Sequence, residues 1–281
     1  MVFKNLFRFV LLASTLVVGV AQAKTMVIGH RGAAGHAPEN TLSSIQKALK
    51  LGVDAVEVDI RRSRDGALVA IHDRQVDRTT NGAGKVSEYT LAQLNTLDAG
   101  SWYGPQYLDE WIPTLTEVMN AVSHSDTRLI IELKVGGDGI EGEVLKHIRT
   151  HKMQDRVIIK SFDPAILERF SKLAPGLPRL YVMFGWSPRF NVLVDEEIRR
   201  VNPLDMDVDY IQVYHSFLGK DFIRRAHDRG MKVIAWGVHS RKAMGKVLAL
   251  GVDGIETDYP DRLYAIMDEY KLKRMMVGYS H

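Results

Sequence analysis

Short apolar runs rich in Val, Ile and Leu alternate along this chain with stretches whose apolar positions recur at helical spacing. The first pattern fits strands buried on both faces, the second amphipathic helices lying against them. Strands are expected at residues 25–29, 55–60, 128–134, 156–162, 179–184, 209–214, 232–238 and 254–257. A helix is expected from Thr41, with Asn40 as its cap, Leu42, Ile45, Ala48 and Leu49 on one face, and Gly52 as its stop. Further helices are expected at 114–122, 141–151, from Asp163-Pro164 to Pro175-Gly176, and at 194–201, 220–229 and 242–250.

One connection breaks the alternation. Only residues 61–66 separate the second strand from the apolar run at 67–72, too few for the dozen or more that a parallel crossover needs. Asp65-Gly66 reads instead as a two-residue hairpin turn, and counting back along its arms sets His72 opposite Asp59. The hairpin and a loop-rich excursion at 74–111 then form an insertion after the second strand. Eight strand–helix units over roughly 250 residues indicate a TIM (β/α)8 barrel. A doubly wound open sheet is the alternative, but it would not bring side chains from the first three strands together.

Composition changes this picture at the N-terminus. Lys4 and Arg8 precede an apolar run at 9–20, and Ala21-Gln22-Ala23 supplies small residues either side of a cleavage point. That is the pattern of a secretory signal peptide over residues 1–23, with one domain from 24 to 281. A periplasmic or secreted protein with no stable membrane insertion after cleavage is expected. Removing the leader takes Lys+Arg from 37 to 35 against 34 acidic residues, which gives no support for a nucleic-acid partner. The chain has no cysteine, so disulfides, thiol catalysis and thiolate metal sites are excluded.

The candidate chemistry sits at strand ends. Residues two apart in a strand share a face, so Glu57 and Asp59 point together into a barrel, as do Glu132 and Lys134. Buried carboxylates are costly unless paired or metal-bound. Glu57, Asp59 and Glu132 suit one hard divalent cation, Ca2+ or Mg2+, although ion-pair layers inside the barrel would use the same residues. His30 closes the first strand and His72 returns through the hairpin, a ready general acid and base pair. Arg31 and Lys134 supply positive charge for a phosphoryl group, or salt bridges to Glu57 and Glu132. Residues 49–59 echo 248–258, each ending in E-x-D, and the second pair, Glu256 and Asp258, reads as a structural echo.

Taken in order, H-R-G, P-E-N-T, E-x-D, D-G then H-D, T-N-G-x-G, E-L-K, S-F-D, a late W-x-V and G-x-D-G-I-x-T-D resemble the signature of the glycerophosphodiester phosphodiesterase family. The resemblance spans essentially the whole chain after the leader. It implies a barrel with a hairpin insertion and hydrolysis of a small-molecule glycerophosphodiester to sn-glycerol 3-phosphate and an alcohol. It also implies His30 and His72 as the acid/base pair, Glu57, Asp59 and Glu132 as metal ligands, Arg31 and Lys134 as phosphate contacts, and Trp236 as part of a glycerol pocket. Where such sequences commonly read W-T-V-N, this one reads Trp236-Gly237-Val238-His239. The short excursion is expected to leave the leaving-group side open. Two other readings fit the same pattern: a phosphodiesterase of lysophospholipase D or sphingomyelinase D type, and a non-catalytic phosphate-ligand binding protein.

Overall fold

The computed structural model describes residues 24–183 and 202–278. The expected leader at 1–23 and the expected helix at 194–201 lie outside those residues. Eight parallel strands form a closed barrel: β1 (Met26–Gly29), β2 (Ala55–Arg62), β4 (Arg128–Leu133), β5 (Val157–Ser161), β6 (Arg179–Met183), β7 (Tyr210–Tyr214), β8 (Lys232–Trp236) and β9 (Gly254–Thr257). Antiparallel β3 (Leu68–Ala70) is added along β2. The ring closes because β1 pairs with both β9 and β2. Among the described residues the helices are α1 (Leu42–Lys50), α2 (Leu91–Leu94), α3 (Leu115–Ser123), α4 (Ile140–Thr150), α5 (Pro164–Leu173), α6 (Lys220–His227), α7 (Arg241–Leu250) and α8 (Pro260–Gly278). The sequence pattern did not announce α8. Its Leu263, Ile266 and Met267 bury at helical spacing, but apolar residues continue around the helix and blur the stripe.

Period-two alternation sorts each strand between two cores. In β2, Val56, Val58 and Ile60 face outward and pack with helix residues such as Ile45 and Met119. Ala55 faces inward and joins Ile28, Ile130, Ile158, Leu180 and Ile234 in an apolar plug inside the barrel. Each Ile or Leu of that plug stabilises the fold by roughly 1.5–3 kcal/mol when fully buried. The plug fills the interior beneath the C-terminal strand ends, so the inward polar residues above it line a shallow mouth.

Two local expectations are corrected. Asn40 does not cap α1: Thr41 does, its Oγ1 accepting from the Ser44 N–H at 3.3 Å, while Asn40 takes a left-handed backbone with φ 59°. The hairpin register also differs by one residue. Ile60 faces Ala70 and Arg62 faces Leu68, so Asp59 stands opposite Ile71, whose N–H donates to the Asp59 carbonyl at 2.9 Å. The turn is longer than two residues, because Ser63 N–H donates to Ala67 O at 2.9 Å and Gly66 takes the left-handed position at φ 92°. One residue of register moves every side chain to the other face. His72 escapes that constraint by lying beyond the end of β3.

The excursion folds into a small lobe with its own apolar cluster, in which Val76, Val86, Leu94 and Ala99 pack on Val69 and Ile71 of the hairpin arm. The hairpin edge takes over where β1 leaves off: Ala55 and Val56 pair with β1, and Ile60 to Arg62 with β3. The lobe is thereby seated beside the barrel mouth.

Candidate active site

The H-R-G turn carries the chain from β1 across the end of β2. Gly29 and Gly32 are needed there. A Cβ on Gly29 would meet the Gly32 carbonyl at 2.4 Å, and one on Gly32, at φ 87°, would meet Ser44 Oγ at 2.4 Å. Arg31 itself adopts a left-handed φ of 50°, a conformation that costs about 1–3 kcal/mol in a residue with a side chain. Its main chain is clamped at both ends: the Arg31 N–H donates to Glu57 Oε2 at 2.9 Å, and Ser44 Oγ donates to the Arg31 carbonyl at 2.8 Å. The Arg31 guanidinium is thus aimed at Asp59 (3.1 Å) and Glu39 (2.7 Å).

The expected carboxylates converge. Asp59 and Glu132 are register neighbours on β2 and β4, and Glu132 and Lys160 are register neighbours on β4 and β5. Glu57, Asp59 and Glu132 bring one oxygen each within 4.8 Å of one another, and all three are buried. Lys134 pairs with Glu132 and lies 2.9 Å from Asp59 Oδ1. An all-oxygen, anionic set of three buried carboxylates fits a hard divalent cation. The Lys134 and Arg31 charges overcome the effect of burial and hold the Asp59 carboxyl far below the usual carboxylate range.

Each expected histidine is oriented by a carboxylate through Nδ1. His30 Nδ1 lies 2.7 Å from Asp258 Oδ1, and His72 Nδ1 lies 2.6 Å from Asp73 Oδ1. Engaging Nδ1 reserves Nε2 for exchanging a proton with a ligand. The two environments push in opposite directions. Burial alone would lower His30, but the Asp258 hydrogen bond and the Glu256 and Glu57 charges raise it. Burial lowers His72, reinforced by Lys134 and Arg31 against the pull of Asp59. Asp73 is brought down to about 2, because Arg78 and His72 outweigh its partial burial.

Several supporting residues escaped the sequence reading. Asn40 grips Asp59 twice, donating from Nδ2 to Oδ2 at 2.8 Å and accepting the Asp59 N–H at 3.1 Å. Glu39 ties Arg31 to Arg78 and so to Asp73. Asp258 is no mere echo of the first E-x-D, since it orients His30; it also lies 3.3 Å from His239. Glu256 pairs with Lys160, which reaches Glu57 at 3.0 Å and Glu132 at 3.1 Å as well. Period two would have placed Lys160 inside the barrel, and a lysine in an otherwise apolar strand was the available signal. Trp236 stands at the mouth with Tyr214 and Phe162 set edge-on to it, at 5.0 and 6.4 Å between ring centroids.

Residues 30–262 match the model of the glycerophosphoryl diester phosphodiesterase family. This chain belongs to that family. It is similar to the glycerophosphodiester phosphodiesterase of Caldanaerobacter subterraneus, 36% identical over 85% of this chain and 96% of that one. The Bacillus altitudinis glycerophosphodiester phosphodiesterase is 33% identical over 88% of this chain and 100% of its own. Among solved structures, an Oleispira antarctica phosphodiesterase in complex with the product sn-glycerol-3-phosphate superposes with a TM-score of 0.76 at 31% identity, covering 86% of this chain and 96% of that one. The family match begins at His30 and takes in every expected site residue.

Proposed function

We propose that this protein hydrolyses glycerophosphodiesters to sn-glycerol 3-phosphate and an alcohol, with His30 and His72 as the proton-transfer pair. The observation that carries this reading is the meeting, at one barrel mouth, of two carboxylate-oriented histidines with three buried carboxylates and the cations Arg31 and Lys134. Glu57, Asp59 and Glu132 would hold one divalent cation, Ca2+ or Mg2+, which when bound neutralises phosphodiester charge. Arg31 and Lys134 face the phosphoryl oxygens and stabilise the charge that builds on them. One histidine takes the proton of the attacking hydroxyl and the other protonates the departing alcohol; attack by water gives sn-glycerol 3-phosphate directly, whereas attack by the substrate's own glycerol hydroxyl gives a cyclic phosphate that water then opens. Trp236, with Phe162 and Tyr214, forms an aromatic wall against the glycerol carbons. The small lobe leaves the leaving-group side open, so several alcohol headgroups should be accepted.

The test is incubation with glycerophosphocholine, with and without chelator, followed by assay of glycerol 3-phosphate and choline. Chelator-sensitive release of both is expected; binding without turnover would favour a non-catalytic module. A second reading draws on one observation: Trp102, Leu108 and Trp111 on the lobe are exposed, at 43%, 64% and 41%. Such a surface could seat an acyl chain, making a lysophospholipid the substrate. Faster turnover of lysophosphatidylcholine than of its deacylated form would establish it. The leader pattern supports a periplasmic or secreted location, checked by N-terminal sequencing of the mature protein.

A further inference from the structure

We propose that Lys160 is a built-in cation that bars a second divalent ion from the active site and so keeps His30 a proton carrier rather than a metal ligand. The inference rests on the metal reading given above for Glu57, Asp59 and Glu132. Among the described residues two ligand constellations exist, and they share Glu57. One is Glu57, Asp59 and Glu132; the other is His30, Glu57 and Glu256, again with ligand atoms within 4.8 Å of one another. The second set, one imidazole nitrogen and two carboxylates, is what a zinc ion accepts. Nothing in the identity of those three residues prevents it.

What prevents it is the ammonium of Lys160. Its side chain is 3% exposed, and Nζ sits 3.0 Å from Glu57 Oε1 and 3.1 and 2.9 Å from the two oxygens of Glu256. It also lies 3.1 Å from Glu132 Oε2, so it stands at the seam between the two constellations. A buried ammonium with that many anionic partners is fixed in place. It uses the Glu57 and Glu256 oxygens that a second ion would need, and a divalent ion at that seam would meet its charge at close range. Lys134, by contrast, touches Asp59 and Glu132 and not Glu256, so it guards nothing on the His30 side. With Glu256 neutralised by Lys160, the Asp258 carboxylate remains the group that orients His30.

The experiment counts ions rather than turnover. Purified protein saturated with Mg2+ is titrated with Zn2+, and bound metal is measured by calorimetry and elemental analysis. Lys160→Met is expected to take up one more Zn2+ per chain than wild type. The gain should vanish in Lys160→Met/Glu256→Gln, a comparison that subtracts zinc held by surface histidines. The ring resonances of His30 should shift on zinc addition in the single variant and not in wild type. A folded Lys160→Met that gains no ion would overturn the proposal, as would a wild-type protein that loses a Zn2+ on Glu256→Gln. Should Lys160→Met fail to fold, Lys160→Gln, which keeps a donor but no charge, is held to the same count. If wild type takes up no Mg2+, the metal reading of Glu57, Asp59 and Glu132 fails by itself, and the Zn2+ count still decides the role of Lys160.

Discussion

Asn40 offers a test that separates two physical accounts of one residue. As a helix cap, Asn40 would be replaceable by Asp at almost no cost, because the two are equally good caps, and Gly would cost a few tenths of a kcal/mol. As the clamp seen in the structure, the amide donates to Asp59 Oδ2 at 2.8 Å, and Asp in its place would set carboxylate against carboxylate. At that separation and an effective dielectric of about 20 the repulsion approaches ~6 kcal/mol. Protonating the introduced carboxyl at pH 7 costs about 4 kcal/mol, less than enduring the repulsion, so protonation sets the price. Asn40→Asp is therefore expected to lose about 4 kcal/mol at pH 7. For a chain of this size that lowers the melting temperature by about 8–16 °C. The pH dependence carries a definite sign. The introduced carboxyl has a folded pKa raised above its unfolded value, so its penalty is absent below the unfolded pKa near about 4 and grows as pH rises. Melting in chelator at pH 7 and pH 5 should show the deficit shrinking at the lower pH. Asn40→Gly, which keeps the left-handed backbone easy but loses both hydrogen bonds, should cost about 2 kcal/mol at either pH. Asn40→Asp melting within a degree of wild type at pH 7 would refute the clamp.

Four further outcomes follow from the same geometry. His30→Ala and His72→Ala should each lose at least 100-fold in kcat, the usual scale of general acid–base catalysis, while still binding a divalent cation in calorimetry; near-normal turnover in either would remove that histidine from the proton-transfer pair. The pH profile of kcat/KM should be a bell whose acid limb falls below the ordinary 6.5 because of His72 and whose alkaline limb lies above it because of His30. Asp258→Asn should draw the alkaline limb toward lower pH and narrow the bell, since the hydrogen-bonded carboxylate holds the His30 proton; an unmoved limb would show that Asp258 does not tune it. Gly32→Ala should disorganise the H-R-G turn, because its Cβ would lie 2.4 Å from Ser44 Oγ and 2.5 Å from the Ser44 carbonyl carbon; activity lost together with thermal stability would support this, and full activity would show that the turn can relax.

The barrel was legible because its strands carry two independent signals, apolar runs and period-two placement of charge. Glu57, Asp59, Glu132 and Lys134 could be set on one inner surface from spacing alone, and the structure brings them together. Legibility stops where a position depends on how a turn closes or on a partner brought in by the fold. Asp65-Gly66 predicts a two-residue hairpin turn, but the register depends on Ser63 closing onto Ala67, which local composition does not display. Asn40 fits a cap because it precedes a helical stripe, and Thr41 satisfies that pattern equally well. Only the fold, by placing Asp59 beside the turn, gives Asn40 a different partner.

The two E-x-D pairs show why such a limit is physical. Each ends a helix–turn–strand unit of the same local design, and inside a barrel each pair points the same way, so no window of sequence can rank them. What distinguishes them lies across the interior. Glu57 and Asp59 face Glu132, with Lys160 reaching Glu57 and Glu132, Lys134 beside Asp59 and Glu132, and Arg31 beside Asp59. Glu256 faces Lys160, and Asp258 is turned to His30. A lone buried carboxylate is expensive, a paired one is held in place, and one shared with a histidine sets that histidine's proton affinity. The same dipeptide spacing thus yields two members of an acidic cluster that could hold a metal on one side of the barrel and, on the other, an ion-pair anchor and a histidine partner. The difference is carried by which charges β4, β5 and the H-R-G turn present to them.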